Sequence, residues 1–435
     1  MKAVLTSKMS EICTKFKLPA RFGIPGPNIW LEMDEYTKYN PINLGVGFAD
    51  FAPPKHVTEG LAGVARSDNL LLHQYTKGFG HPRLVNILSK LYSKLINREI
   101  NPDTEMLISQ GAQQALYNIF NGMLDDDDEV IVIEPFFEPY EPMIRETGAK
   151  PIFIPLRHNG SNTGGALTTN DFLLDKKELE SKFNSKTKAI LLNTPNNPLG
   201  KVFNMEEMQM IADLCKNGPT LPIADEVYEW LVYKPYQHIR MATLPGMWER
   251  TITVGSAGKT FNITGWRTGW AYGPAGLMNN LKVVHQNCIY THLTPIQEAI
   301  AMAFEKEFDL MINNPKQCFF YTLSEELFTK REFLMKAFAD AGVNPIQPQG
   351  GYMIIADFRN QSTNIDLSKE TGNYKDIRLT KWLARNGLMG FPASAFYSTE
   401  NKLVAENLIR FCFIKRDEKL CAAARVLHDL FSKIQ

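Results

Sequence analysis

Four short segments carry side chains whose types and spacing could do chemistry. In Thr253–Trp270 a β-rich run enters a Ser-Ala-Gly-Lys turn and then Gly-Trp-Arg-x-Gly-Trp, with Lys259 at the turn. A lysine just past a strand is ordinarily a solvated surface charge. Here its flanks are small and apolar, and a lysine held among them would be partly desolvated, its pKa lowered and its amine made nucleophilic, as a Schiff-base lysine requires. In Pro222–Tyr228 (PIADEVY) Asp225 ends a hydrophobic run. It reads either as a helix cap or, if a pyridine ring lies against that edge, as the carboxylate that keeps the ring nitrogen protonated. Tyr228 would then donate to the ring's 3-oxygen. Asn193–Gly200 (NTPNNPLG) leaves a strand into a turn whose prolines hold Asn197 in one orientation, as suits a fixed donor more than a plain loop. Ser109–Gln113 (SQGAQ) carries a strand into a helix through glycine, where free amides can bind a phosphate.

The elements that must position these segments follow from hydrophobic periodicity. From about Lys55 to about Lys306 β-rich runs alternate with amphipathic stretches, which predicts βαβ units around a mostly parallel sheet, an α/β large domain over 48–315. The expected strands are Glu105–Ser109, Glu129–Ile133, Pro151–Pro155, Ala189–Asn193, Pro222–Asp225, Thr251–Ser256 and Arg267–Tyr272. In open α/β sheets ligands bind outside the carboxyl ends of the strands, and the chemistry-bearing residues all fall there. Helices are expected over Ala112–Leu124 and Met205–Lys216, a solvated turn rather than a metal site at Asp125–Asp128, and a surface loop over Asn159–Thr169. Beyond about Asn314 a long helix, Tyr321–Ala341, strand-like pieces at Tyr352–Phe358 and Leu408–Ile414, and a helix from Asp417 predict a smaller α+β domain over 316–435, with an arm of residues 1–47 contributing to it.

Composition narrows the function classes. The 435 residues are 44% hydrophobic and 22% charged, enough for more than one core. Forty-seven basic residues balance 47 acidic ones, so no net field draws the chain to nucleic acid or an acidic membrane. Six cysteines (Cys13, Cys215, Cys288, Cys318, Cys412 and Cys421) lack any C-x-x-C pair, against a zinc site or disulfide framework and for a reducing compartment. No apolar run approaches the ~18 residues of a membrane helix. The first 21 residues are basic and acid-poor, which reads either as a mobile arm of a cytoplasmic protein or as a weak mitochondrial transit peptide.

In order and spacing, the runs Ile133–Pro142, Asn193–Lys201, Ala224–Tyr228 and Ser256–Phe261 resemble the class I, fold-type I pyridoxal-phosphate aminotransferases, most closely the kynurenine aminotransferase/glutamine transaminase K group. The resemblance covers nearly the whole chain. It implies pyridoxal 5'-phosphate as cofactor, Lys259 as the Schiff-base lysine and base, Asp225 on the pyridine nitrogen, Asn197 and Tyr228 on the 3-oxygen, and Phe136 stacked on the ring. Ala112, Gln113, Ser256 and Arg267 would hold the phosphate, with Tyr75 reaching in from the other subunit of a homodimer. Arg410 would clamp the substrate carboxylate, a role its paired donors suit, with Gly47, Trp30 and Tyr290 around the substrate. The chain departs from the family after Cys288, where Ile-Tyr-Thr-His puts Thr291 in the place of a polar ring. The activity implied is transfer of the amino group of kynurenine, glutamine or another large neutral or aromatic amino acid to a 2-oxo acid. Cysteine-S-conjugate β-lyase chemistry at the same site is the alternative. A non-catalytic sensor would need an added DNA-binding module, for which the roughly 20 residues before Arg21 are too few.

Overall fold

The computed structural model describes residues 29–158 and 167–431; the basic arm, with Cys13, and most of the Asn159–Thr169 loop lie outside them. Seven strands form one sheet: β1 (Met106–Ser109), β2 (Glu129–Glu134), β3 (Lys150–Pro155), β4 (Thr187–Asn193), β5 (Leu221–Asp225), β6 (Ile252–Ser256) and β7 (Gly269–Tyr272). Their order is β1-β7-β6-β5-β4-β2-β3. Strands β6, β5, β4, β2 and β3 run parallel, whereas β7 is antiparallel to both β1 and β6.

The central strands are buried on both faces. That is why Val130–Ile133 and Ala189–Leu192 read as continuous apolar runs without alternation. Each such Val, Leu or Ile contributes about 1.5–3 kcal/mol on leaving water, and the sheet edge is fixed accordingly. Helices cover both faces. Met205–Lys216 begins at a capping box in which Asn204 Oδ1 accepts from the Glu207 amide at 2.9 Å and Glu207 Oε2 accepts from the Asn204 amide at 3.1 Å. The acidic run forms an exposed turn, with Asp127 in left-handed backbone at φ 67°.

A second, antiparallel sheet is built from Asn344–Ile346, Met353–Asp357, Leu408–Cys412 and Phe391–Pro392, flanked by the helices Phe319–Asp340 and Asp417–Phe431. The segment before the large sheet is stitched to this smaller body. Ile42–Asn43 pairs in parallel with Leu388–Met389, and Leu44 accepts a hydrogen bond from the Cys412 amide at 2.7 Å. Gly45–Gly47 is thereby laid beside Arg410, facing the carboxyl edge of the large sheet. Among the described residues no helix is long and apolar enough to cross a membrane.

Candidate active site

The carboxyl ends of β1, β4, β5 and β6 surround a cavity of about 150 Å³ lined by Ala112, Gln113, Asn197, Asp225, Tyr228, Ser256, Lys259 and Arg267, with Phe137 and Tyr140 completing its wall. At one end β5 delivers Asp225, buried, with the Tyr140 hydroxyl donating to Oδ2 at 2.5 Å and the Val227 amide to Oδ1 at 3.3 Å. Burial pushes its carboxyl up to about 6, against the opposing pull of the Tyr140 hydrogen bond. Tyr228, on the turn that follows, is buried beside it.

At the opposite end β1 passes through Gly111 (φ 84°) into the helix Ala112–Met123. A Cβ on Gly111 would stand 2.7 Å from the Arg267 guanidinium, and one on Gly269 would stand 2.5 Å from the Ala112 nitrogen. Glycine at both positions lets the helix start, Arg267 and Ser256 converge as a donor cradle. Arg267 itself sits in left-handed backbone at φ 50°.

Lys259 lies between these ends. Burial lowers its ammonium to about 8, with Arg410 and Arg267 pushing the same way. Its Nζ donates to the Tyr352 hydroxyl at 2.6 Å and, at 3.4 Å, to the Gly47 carbonyl, which also accepts from Tyr352 at 2.8 Å. Beyond it, buried Arg410 donates from Nη2 to the Gly45 carbonyl at 2.9 Å and from Nη1 to Asn197 Oδ1 at 3.0 Å. Its Nε has no hydrogen-bond partner among the described residues. Phe396, Phe391 and Trp30 ring the guanidinium at 4.7, 5.1 and 5.9 Å. Asn197 is fixed from both sides, since its amide N–H donates to Asn193 Oδ1 at 2.7 Å.

Phe136 must be corrected. It is buried behind the cavity, stacked on Phe153 at 5.4 Å, and Phe137 lines the cavity instead. Successive side chains of an extended segment point to opposite faces, so a register error of one residue exchanges them. Tyr75 and Tyr290 are set apart from the cavity as an edge-to-face pair at 5.7 Å, both exposed. In the departing loop His292 turns inward, buried, with its Nε2 2.8 Å from Thr268 Oγ1, and Tyr290 is left outside. Two residues had escaped the sequence reading: Tyr140, inside the motif Ile133–Pro142, and Tyr352, immediately before the strand Met353–Asp357 of the smaller sheet.

Comparisons with known proteins agree with this arrangement. The profile "Aminotransferase class I and II" matches residues 39–427. Kynurenine--oxoglutarate transaminase 3 of Homo sapiens is 46% identical over 98% of this chain and 94% of its own. Kynurenine--oxoglutarate transaminase of Dictyostelium discoideum is 39% identical over 94% of each chain. The crystal structure of Bna3p from Saccharomyces cerevisiae, described as a kynurenine aminotransferase candidate, superposes with a TM-score of 0.86 at 31% identity, covering 94% of this chain and 96% of that one. Matched by the family profile from residue 39 to residue 427, and by a relative at 46% identity along nearly its whole length, the chain belongs to the class I and II aminotransferases.

Proposed function

We propose that this aminotransferase binds pyridoxal 5'-phosphate in the cavity and moves the amino group of kynurenine, glutamine or another large neutral or aromatic amino acid to a 2-oxo acid. The observation that carries the reading is the alignment, across one cavity, of a donor cradle, a lysine with a lowered pKa and a buried carboxylate whose ionisation is held back for want of a cation. The cofactor fits that set. Its phosphate suits the amides at Ala112 and Gln113 with Ser256 and Arg267; its ring nitrogen suits Asp225; its 3-oxygen suits Tyr228 and Asn197; its ring face suits Phe137. When bound, it supplies an electron sink for charge developing at the substrate Cα. Asp225 holds a proton at the ring nitrogen. Lys259, neutral for a useful fraction of the time near pH 8, would take the proton from the substrate Cα and pass it to the cofactor's aldehyde carbon, the 1,3-shift that leaves the amino group on the cofactor.

Arg410, whose Nε has no partner among the described residues, is the fork for the substrate α-carboxylate. Trp30 beside it, the Gly47 backbone and an aromatic rim favour large uncharged side chains. We further infer a homodimer in which Tyr75 completes the other subunit's site, supported by its 82% exposure beside exposed Tyr290; a large domain over 48–315 with a smaller one over 316–435; and a reducing compartment, the cytoplasm, supported by five unpaired cysteines among the described residues.

The test is a panel of amino donors against saturating 2-oxo acid. Kynurenine, phenylalanine, methionine and glutamine should each exceed aspartate in kcat/KM, because a second buried carboxylate without its own cation costs several kcal/mol by the order of magnitude for unpaired charge. Aspartate equal to or above all four would overturn the proposed pocket. A fully active monomer by sedimentation would overturn the shared site.

A further inference from the structure

Lys259 is carried by the large sheet, on the helical turn Ala257–Thr260 that follows β6, yet both acceptors of its amine belong to the smaller body. Tyr352 stands immediately before the strand Met353–Asp357, and Gly47 lies in the segment that Leu44 ties to Cys412. The tyrosine is fixed at backbone and ring. Ahead of it the Gly350 amide donates to the Gly200 carbonyl at 2.9 Å and the Gly351 amide to the Leu231 carbonyl at 2.8 Å, so the chain is bonded there to the two loops that bear Asn197 and Tyr228. Gly351 makes the turn in left-handed backbone at φ 71°. The Tyr352 carbonyl accepts from the Phe413 amide at 2.9 Å, and its buried ring meets Tyr228 edge to face at 5.2 Å.

The protons of this group can be counted. A phenol has one O–H to donate and lone pairs with which to accept. For the Tyr352 proton the Gly47 carbonyl lies at 2.8 Å, and the Tyr228 hydroxyl is its other hydrogen-bonding neighbour. A carbonyl can only accept, so the proton goes to Gly47 and a lone pair of Tyr352 faces Lys259 Nζ at 2.6 Å. The Gly47 carbonyl also takes a second, longer N–H contact from the amine at 3.4 Å. A neutral amine has two N–H bonds and one lone pair, and both N–H bonds are thus taken. The third N–H that an ammonium would carry has no acceptor among the described residues.

We propose that Tyr352 is the positioning residue for the Lys259 amine: with the Gly47 carbonyl it holds both N–H bonds and leaves the lone pair turned toward the cavity. The base is aimed from the smaller body. Lysine hangs its amine on a flexible four-carbon stem, and an amine free to rotate presents its lone pair to the reacting carbon only part of the time, which costs rate in proportion. Tyr352 acts through Lys259 and does so twice, when the amine meets the cofactor and when it carries the proton of the substrate. The inference rests on the assignment of Lys259 as the Schiff-base lysine and not on the choice of amino donor.

The experiment is recombination of the full-length apoenzyme with pyridoxal 5'-phosphate between pH 6 and 10, followed by the absorbance that appears as the amine adds to the aldehyde carbon and water leaves. Tyr352→Phe removes one oxygen and keeps the ring. The charged and titratable groups around Nζ, which are Arg410, Arg267, Asp225, Cys412 and Tyr228, stay in place. Uptake should reach the parent's stoichiometry, since the phosphate cradle is untouched, but about tenfold or more slowly on the alkaline plateau, the scale of one hydrogen bond to a reacting group. The midpoint of the pH profile should fall below the parent's, because an oxygen accepts more strongly from an ammonium than from an amine and its loss favours the neutral form. In the holoenzyme kcat should fall by a similar factor with KM for the amino donor changed by less than about twofold, because Arg410 is unaltered. A smaller loss of plateau rate, a midpoint at or above the parent's, or loss of stoichiometric uptake would each overturn the proposal. Lys259→Ala tests the reading beneath it: if that variant develops the same absorbance at the parent's rate, Lys259 is not the lysine that meets the cofactor, and the assignment of Lys259 fails instead.

Discussion

Asp225 and Glu226 are consecutive, both buried, and opposite in circumstance. Glu226 faces His238 and Arg240, and the neighbouring Glu229 takes Arg240 and Tyr92, so that each negative charge meets a cation or a hydroxyl. Asp225 has the Tyr140 hydroxyl and one backbone amide, no salt-bridged cation among the described residues, and a carboxyl pushed up to about 6 by burial. One carboxylate is complete in the chain as it stands; the other is complete only when something cationic enters the cavity beside it. The pair teaches how to tell a structural charge from a functional one: the functional group is the one whose partners the fold leaves unfilled. Lys259 belongs to the second kind. Its amine has a hydroxyl and a carbonyl for partners and a pKa near 8, and nothing else in its surroundings explains that cost.

The sharpest way to test the comparison is to remove the functional cation. Lys259→Ala should lower turnover by about 10³-fold or more while leaving unfolding within about 1 kcal/mol of the parent; steady-state rates and a thermal melt check it, and full activity would end the assignment. The two carboxylates should then part company. Glu226→Ala leaves Arg240 and His238 buried without their anion and should cost stability of the order of 3–5 kcal/mol, read by urea unfolding, with a much smaller change in kcat of the surviving folded enzyme. Asp225→Ala should do the reverse, lowering kcat by roughly 10²-fold or more, the scale for removing one preorganised electrostatic group, with little loss of stability. Equal stability losses in the two variants would erase the distinction drawn between them.

Where the sequence was legible, it was because local physics and tertiary demand agree. The strand ending at Asp225 and the helix Met205–Lys216 are found where the apolar spacing put them, and eight of the expected cofactor-side residues do line one cavity, most of them because they end a strand or follow its carboxyl end. The misses have physical reasons. That β7 runs antiparallel is invisible in composition, since a strand buried on both faces looks the same in either direction. Phe136 and Phe137 are equally apolar, and only the pleat decides which faces the cavity. Tyr352 reaches Lys259 across 93 positions of sequence, and the buried charged cluster around Glu226 and Glu229 gathers Tyr92, His238 and Arg240 from two distant stretches; no spacing pattern announces contacts of that kind.

A smaller effect separates the fork at Arg410 from a simple positive charge. Arg410 spends Nη1 and Nη2 on Asn197 and Gly45 and is ringed by aromatic faces, so Arg410→Lys keeps the charge and loses both the planar fit and the hold on Asn197. The expected loss is about 10–100-fold in kcat/KM for aromatic donors, the value of a charge-assisted hydrogen bond of roughly 1.5–3 kcal/mol. It should fall more on KM than on kcat. An unchanged KM would mean that the guanidinium does not hold the substrate carboxylate.

The last prediction turns on the sign of the Asp225 displacement in the cofactor-free protein. A carboxyl raised from 3.8 to about 6 binds its proton more tightly in the folded chain than in the unfolded one. Its contribution to stability is therefore fully present below pH 3.8 and lost as pH rises through 6. Above that pH the folded apoprotein carries a buried carboxylate that the unfolded chain would hold in water. Asp225→Asn keeps the shape and cannot ionise. The variant should be more stable than the parent at pH 7.5, by at most about 3 kcal/mol, the free energy equivalent to the displacement, and the advantage should shrink toward pH 5. Lys259, lowered to about 8, loses stability as pH falls through 8, but both proteins carry it, so to first order it cancels in the difference. Urea midpoints of the two apoproteins at pH 5 and 7.5 decide the matter. Parallel pH profiles would mean that the Asp225 carboxylate is not held back by burial, and the asymmetry with Glu226 would then need another cause.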